Sequence, residues 1–225
     1  MTSENRKEKH ALIGKVFVAL LGSPWIEVFA EGWKLGRKLW RGLADEGMYE
    51  VLDYQVRLEI KDRQGKRVTH QKRERVRYMQ NNIIAYQDQA WGDGDFLENY
   101  CCTPGEEVDR YQVGYKTVIL ISMCETKQKG DEDEFIIERE IHNGYLSASE
   151  YVEIEISHRT KRLEMQVVFP KARPPHNPVL VERLQQHRQP LAQEHIKQLP
   201  DGRWSLWWET AKPRLHEHYL LQWDW

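Results

Sequence analysis

LDYQVRLEIKDRQGKRVTHQKRERVRY, residues 52–78, decides the fold class. Leu52, Tyr54, Val56, Leu58 and Ile60 alternate with Asp53, Gln55, Arg57 and Glu59. Successive side chains of a strand point to opposite faces, so a period of two predicts a half-buried strand. Asp62-Arg63-Gln64-Gly65 supplies turn chemistry, and Val68–Tyr78 then forms the return strand of a hairpin.

Downstream the same period recurs. Tyr111–Glu125 reads as one strongly apolar strand, with Val118-Ile119-Leu120-Ile121 covered on both faces. Lys127–Asp133 reads as a hairpin loop before the strand Phe135–Ile141. Val152, Ile154 and Ile156, then Leu163, Met165, Val167 and Phe169, give two more inward sets. Pro170 to Pro175 interrupts a sheet, since proline cannot donate to a ladder. Further strands are expected at Val179–Leu184, around Gln193–Ile196, at Trp204–Trp208 and at Tyr219–Trp225. Residues 80–110 read as irregular and rich in turn formers. Eight or nine short strands separated by turns predict a mainly β fold, a two-sheet antiparallel sandwich of the immunoglobulin or jelly-roll kind over residues 48–225.

Upstream the period is helical. Residues 10–43 suggest one or two helices broken near Gly22-Ser23-Pro24, within an N-terminal segment 1–47. Phe29, Trp33 and Trp40 fall on roughly one face, and Gly32, Gly36 and Gly42 weaken that helix on its own. Its apolar surface needs cover from the sandwich, from another protein, or from a membrane interface suited to Trp25, Trp33 and Trp40. Glu27 and Glu31 weaken the membrane option. The run Ala11–Leu21 contains Lys15 and is about half the roughly 20 residues a spanning helix needs. A packed or interfacial helix of a cytoplasmic protein is therefore expected, without a transmembrane span.

An apolar fraction of 40% with 30% charge describes a globular chain, and nine Trp with ten Tyr suit pleated and interfacial surfaces. A net charge of −2 gives no bulk attraction for duplex DNA. Three cysteines, Cys101, Cys102 and Cys124, fit a reducing compartment rather than a disulfide scaffold. The acidic surroundings of Cys101 and Cys102 disfavour a thiolate.

Catalytic signatures are absent: no phosphate-binding loop, no GxGxxG after a strand, no GxSxG and no HExxH. His216-Glu217-His218, if it lay within a strand, would put two rings on one face, a candidate metal pair for an alternative metal-dependent hydrolase or nuclease. Glu153, Glu155 and Glu164 are the other carboxylate set, expected to face water because Val152, Ile154 and Ile156 face the core. Trp91-Gly92-Asp93-Gly94-Asp95-Phe96 holds a fragment of a calcium-loop pattern without its full order. The plainer expectation is an acidic surface loop anchored by Trp91 and Phe96, and a first candidate for recognition.

Between Lys61 and Arg77 the chain carries a net +6, with Arg67, Arg73, Arg75 and Arg77 on one face of the return strand. Nucleic acid is one partner for such a stripe, but no aromatic is interleaved for base stacking. The preferred expectation is cross-strand pairing with Asp53, Gln55 and Glu59, and after it an acidic protein surface.

The layout resembles the β-sandwich accessory modules of larger bacterial signalling or defence proteins, through the Trp91–Phe96 loop and the closing aromatics Tyr219–Trp225. No site residue follows from that likeness. The expected function is a non-enzymatic, cofactor-free protein-interaction or regulatory module, binding a partner or itself. Its candidate surfaces are Trp25, Phe29, Trp33 and Trp40, the arginine stripe, and Trp91, Asp93, Asp95 and Phe96. A membrane-peripheral protein anchored by the N-terminal helix is the third alternative.

Overall fold

The computed structural model describes residues 47–225. The expected N-terminal helices, with Trp25, Phe29, Trp33 and Trp40, lie outside the described residues. No described helix is long and apolar enough to cross a membrane.

Fourteen strands occur among the described residues. They are Tyr49–Ile60 (β1), Arg67–Tyr78 (β2), Ile83–Ala90 (β3), Asp95–Thr103 (β4), Glu106–Val113 (β5), Lys116–Lys127 (β6) and Glu132–His142 (β7). Then follow Ser149–Glu155 (β8), Arg162–Phe169 (β9), His176–Glu182 (β10), His187–Pro190 (β11), Ile196–Gln198 (β12), Trp204–Ala211 (β13) and His218–Asp224 (β14). The fold is mainly β, as the alternation predicts. It is sandwich-like, but with three sheets rather than two: the strands are ordered β12-β13-β9-β1-β2-β7-β4, β11-β10-β14-β8, and β3-β6-β5. It is also not wholly antiparallel, since β1 and β9 run parallel from Tyr54↔Leu163 to Glu59↔Val168.

The long central strands explain the third sheet. β1 and β2 each have 12 residues, about 40 Å of extended chain, enough to back two cores in succession. At one end Val56, Leu58, Ile60, Val68 and Ile141 pack with Val152, Ile154, Leu180, Leu221 and Trp223 from the four-stranded sheet. At the other end Tyr49, Val51, Val76, Tyr78, Phe135 and Ile137 pack with Tyr86, Ile119, Ile121 and Met123 from the three-stranded sheet. A register shift between Val51 and Asp53 turns Tyr49 and Val51 inward on odd positions and Val56, Leu58 and Ile60 inward on even ones. A bulge is the device that permits such a change of parity.

Residues 80–110, expected to be irregular, contain β3, β4 and the start of β5. β4 and β5 are mostly exposed strands, each at a sheet edge, so they show no inward apolar row. Residues 111–125 are likewise not one strand. β5 ends at Val113, and Gly114, with φ +62°, turns the chain into β6. The strand expected near Gln193–Ile196 is shifted: Gln193–His195 is a 3-10 turn, and β12 begins at Ile196.

Candidate functional site

The inward face of β2 runs Val68, His70, Lys72, Glu74, Val76, Tyr78. Its apolar ends belong to the two cores, and its three central residues are polar and buried. They form a polar belt between the two cores. Arg139 joins it from β7, Tyr54 from β1 and Asp88 from β3.

Burying charge is costly unless each group is paired. Lys72 Nζ lies 2.7 Å from Glu74 Oε2 and 3.0 Å from Asp88 Oδ1. Tyr86 donates to Glu74 Oε2 at 2.7 Å, and Tyr100 donates to Asp88 Oδ2 at 3.1 Å. Tyr54 and Tyr86 rings flank the ammonium, with centroids 5.2 and 5.5 Å from Nζ. Burial alone would lower the Lys72 pKa, but Asp88 and Glu74 hold it well above its ordinary value. Burial raises the Tyr54 hydroxyl to about 12.

Two members of the belt are less well served. Arg139 is 8% exposed, and its Nη1 donates to the Phe96 carbonyl at 3.2 Å. Among the described residues it makes no ion pair with a carboxylate, and burial lowers its pKa while Asp88 opposes that. His70 Nδ1 is buried without a hydrogen-bond partner. Burial, then Arg139 and Lys72, push the His70 pKa well below its ordinary value, so the ring is neutral at pH 7.

Tyr54, His70, Lys72 and Arg139 line a solvent-connected cleft of about 110 Å³. β3 contributes Asp88 and Gln89 to one wall, and β8 contributes Glu150 to Ile154 to the other. β3 and β8 each form one edge of their sheets. Lys116 of β6 pairs with Glu155 of β8 and bonds Gln89 at 3.4 Å, tying the two walls together. Trp91, Asp93 and Phe96 also line the cleft. Trp91 meets Tyr115 edge-on at 6.5 Å, and Lys116 Nζ sits 4.9 Å from its ring centroid. Tyr115 and Tyr151 are 67% and 47% exposed. The mouth is therefore aromatic and the floor charged.

The structure thus gathers Trp91, Asp93 and Phe96 at one site, while Asp95 enters β4 opposite His142. The arginine stripe is elsewhere. Arg67, Arg73, Arg75 and Arg77 occupy the outward face of β2, behind the cleft floor. β1 sets Gln55 and Asp53 opposite Arg73 and Arg75, as expected, but the ion pairs form elsewhere. Arg73 meets Glu134 at 2.7 Å and Arg77 Nε meets Glu132 at 2.9 Å, both on β7. Asp53 on β1 instead bonds Arg162 of β9 at 2.8 Å, and Glu59 pairs with Lys61 and Arg203. β2 has two neighbours, and the sequence order suggested only one of them.

His216 lies in the turn before β14 with φ +66°, so the strand that would align it with His218 begins too late. His218 Nδ1 is 2.9 Å from Glu153, which also pairs with Arg183. Glu164 is held by Arg162. Among the described residues no group of three or more His, Cys, Asp or Glu could hold a metal ion. Burial, then Asp88, raises the Cys102 thiol to about 12, which keeps it protonated.

The buried belt escaped the reading of the sequence, although its signal is present: His70, Lys72 and Glu74 occupy the inward parity of a strand whose ends are apolar.

No family model matches this chain, and no curated protein matches it. Among solved structures, the M1 zinc metallopeptidase from Deinococcus radiodurans aligns at 9% identity with a TM-score of 0.44, covering 77% of this chain and 42% of that one. A mutant of the same enzyme bound to a Tyr-Ser-Ala substrate aligns at 8% identity and a TM-score of 0.45, with the same coverages. The chain spans less than half the length of these solved structures.

Proposed function

We propose that the β-domain is a non-enzymatic recognition module whose cleft binds an extended segment of a partner protein. The observation that carries this is the position of two sheet edges. β3 and β8 flank one cleft, and neither has a strand on its cleft side among the described residues. A strand edge offers backbone donors and acceptors to an incoming chain, and alternate side chains of that chain then reach the floor. Trp91 and Tyr151 supply rigid aromatic contact at the mouth, with Tyr115 edge-on behind Trp91, a composition typical of binding hot spots. The outer face of the seven-stranded sheet is laced with ion pairs, which favours the cleft over the arginine stripe as the binding surface. The three cysteines are unbridged, which supports a reducing, cytoplasmic setting.

Selection of binders from a displayed library of random peptides tests this on the full chain. Trp91→Ala and Tyr151→Ala are expected to weaken the selected peptides by about tenfold or more, and Arg75→Glu to leave them within about twofold. Loss of binding on Arg75→Glu with retention on Trp91→Ala would place recognition on the outer face and refute the proposal.

A further inference from the structure

Arg139 presents five N–H donors, yet within the described fold it bonds one carbonyl and pairs with no carboxylate. The acid that most supports its charge, Asp88, is already engaged by Lys72 and Tyr100. Beside it His70 Nδ1 is orphaned in the same cleft. Tyr54 and Tyr145 line the cavity as well. Arg139, His70 and Tyr145 are buried and Tyr54 is half-buried, so they are preorganised, and a ligand that satisfied them would recover hydrogen bonding the fold leaves unmade.

We infer that Arg139 is the anchor for a carboxylate of the bound segment, with His70, Tyr54 and Tyr145 around it. This rests on the cleft being the binding site and specifies its ligand chemistry. A planar guanidinium matches a carboxylate with two parallel hydrogen bonds. A multiply charged anion fits worse. Lys72 is already balanced by Glu74 and Asp88, and Glu150 and Asp93 add acids toward the mouth. Burial raises the Tyr145 hydroxyl first, and among the charges around it Arg139 acts to lower its pKa while Glu150 and Asp93 act to raise it. One negative charge at the floor is favoured, and further negative charge at the mouth is opposed.

The carboxylate can come from an acidic side chain or from a chain terminus. Three blocked dipeptides separate these sources: N-acetyl-Gly-Asp-amide, N-acetyl-Gly-Asn with a free terminus, and its neutral amide. Each is titrated into the full-length protein, following calorimetric heat and the Arg139 guanidinium N–H resonances. At least one carboxylate form is expected to bind roughly thirtyfold more tightly than the neutral amide, and to shift those resonances. Arg139→Met should abolish the preference, and Arg139→Lys should keep a smaller one, because it retains charge without the fork. Thermal unfolding verifies that each variant is folded. If Arg139→Met does not fold, the dipeptide comparison on the unmodified protein decides alone. Equal binding of all three, an undiminished preference in Arg139→Met, or no saturation of any to about 50 mM would overturn the anchor. Peptides selected on Trp91 and Tyr151 would still bind in that event, so the cleft proposal fails or stands separately.

Discussion

Replacing Lys72 by methionine should cost the domain about 3–5 kcal/mol at neutral pH. Methionine keeps an unbranched apolar stem, so little volume is lost. What disappears is the ammonium 2.7 Å from Glu74 and 3.0 Å from Asp88. Both carboxylates are at least 96% buried, being 4% and 3% exposed. Each would keep one tyrosine donor, Tyr86 or Tyr100, but no cation at ion-pair distance. Two like charges would then share a desolvated belt. For a domain of this size the loss corresponds to a fall of about 6–20 °C in melting temperature. Urea unfolding of the full chain, followed by tryptophan fluorescence, measures it. The triple variant Lys72→Met, Glu74→Gln, Asp88→Asn removes all three charges yet leaves acceptors for both tyrosines. It should regain more than half of the loss. A Lys72→Met cost under about 1 kcal/mol, or a triple variant weaker than the single one, would refute the claim that this is a buried, mutually dependent triad.

His70 sets an acid sensitivity. Its folded pKa is depressed by burial and by Arg139 and Lys72, so below about pH 6.5 the unfolded chain takes up a proton that the fold refuses. Stability is therefore full above that pH and falls as pH drops toward the folded value. Between pH 6.5 and 5 the unmodified protein should lose up to about 2 kcal/mol more than His70→Leu, read from urea midpoints at each pH; equal pH slopes would contradict the assignment. At the loop, Gly94 has φ +68°, and a Cβ there would stand 2.2 Å from the His142 carbonyl oxygen. Gly94→Ala should cost about 1–3 kcal/mol and speed hydrogen exchange from Trp91 to Phe96. Unchanged stability would mean the loop is not held by that close approach.

The strands from residue 48 onward were legible wherever one face is apolar, as in β1, β2, β7, β9, β13 and β14. Their alternation is a local property, imposed by the pleat on whichever residues face a core. β4 and β5 were not legible, because an exposed edge strand imposes no such row. Trp91 and Phe96, singled out in the sequence as a candidate surface, line the cleft, while the charged belt beneath them was not legible. A buried polar residue at an inward position looks like an interruption until its partners are known, and Asp88 lies 16 residues from Lys72.

By itself the sequence determined that the chain from residue 48 onward is mainly β and, in strands with an apolar row, which side chains share a face. Only the tertiary structure decided that two small sheets stand side by side on one large one. It alone also gave the ion pairs of Arg73 and Arg77 to β7 rather than β1 and left a cleft over His70, Lys72 and Arg139. Side-chain alternation is written residue by residue, but sheet order depends on pairing between distant segments, whose loop-closure entropy and core burial are balanced over the whole domain.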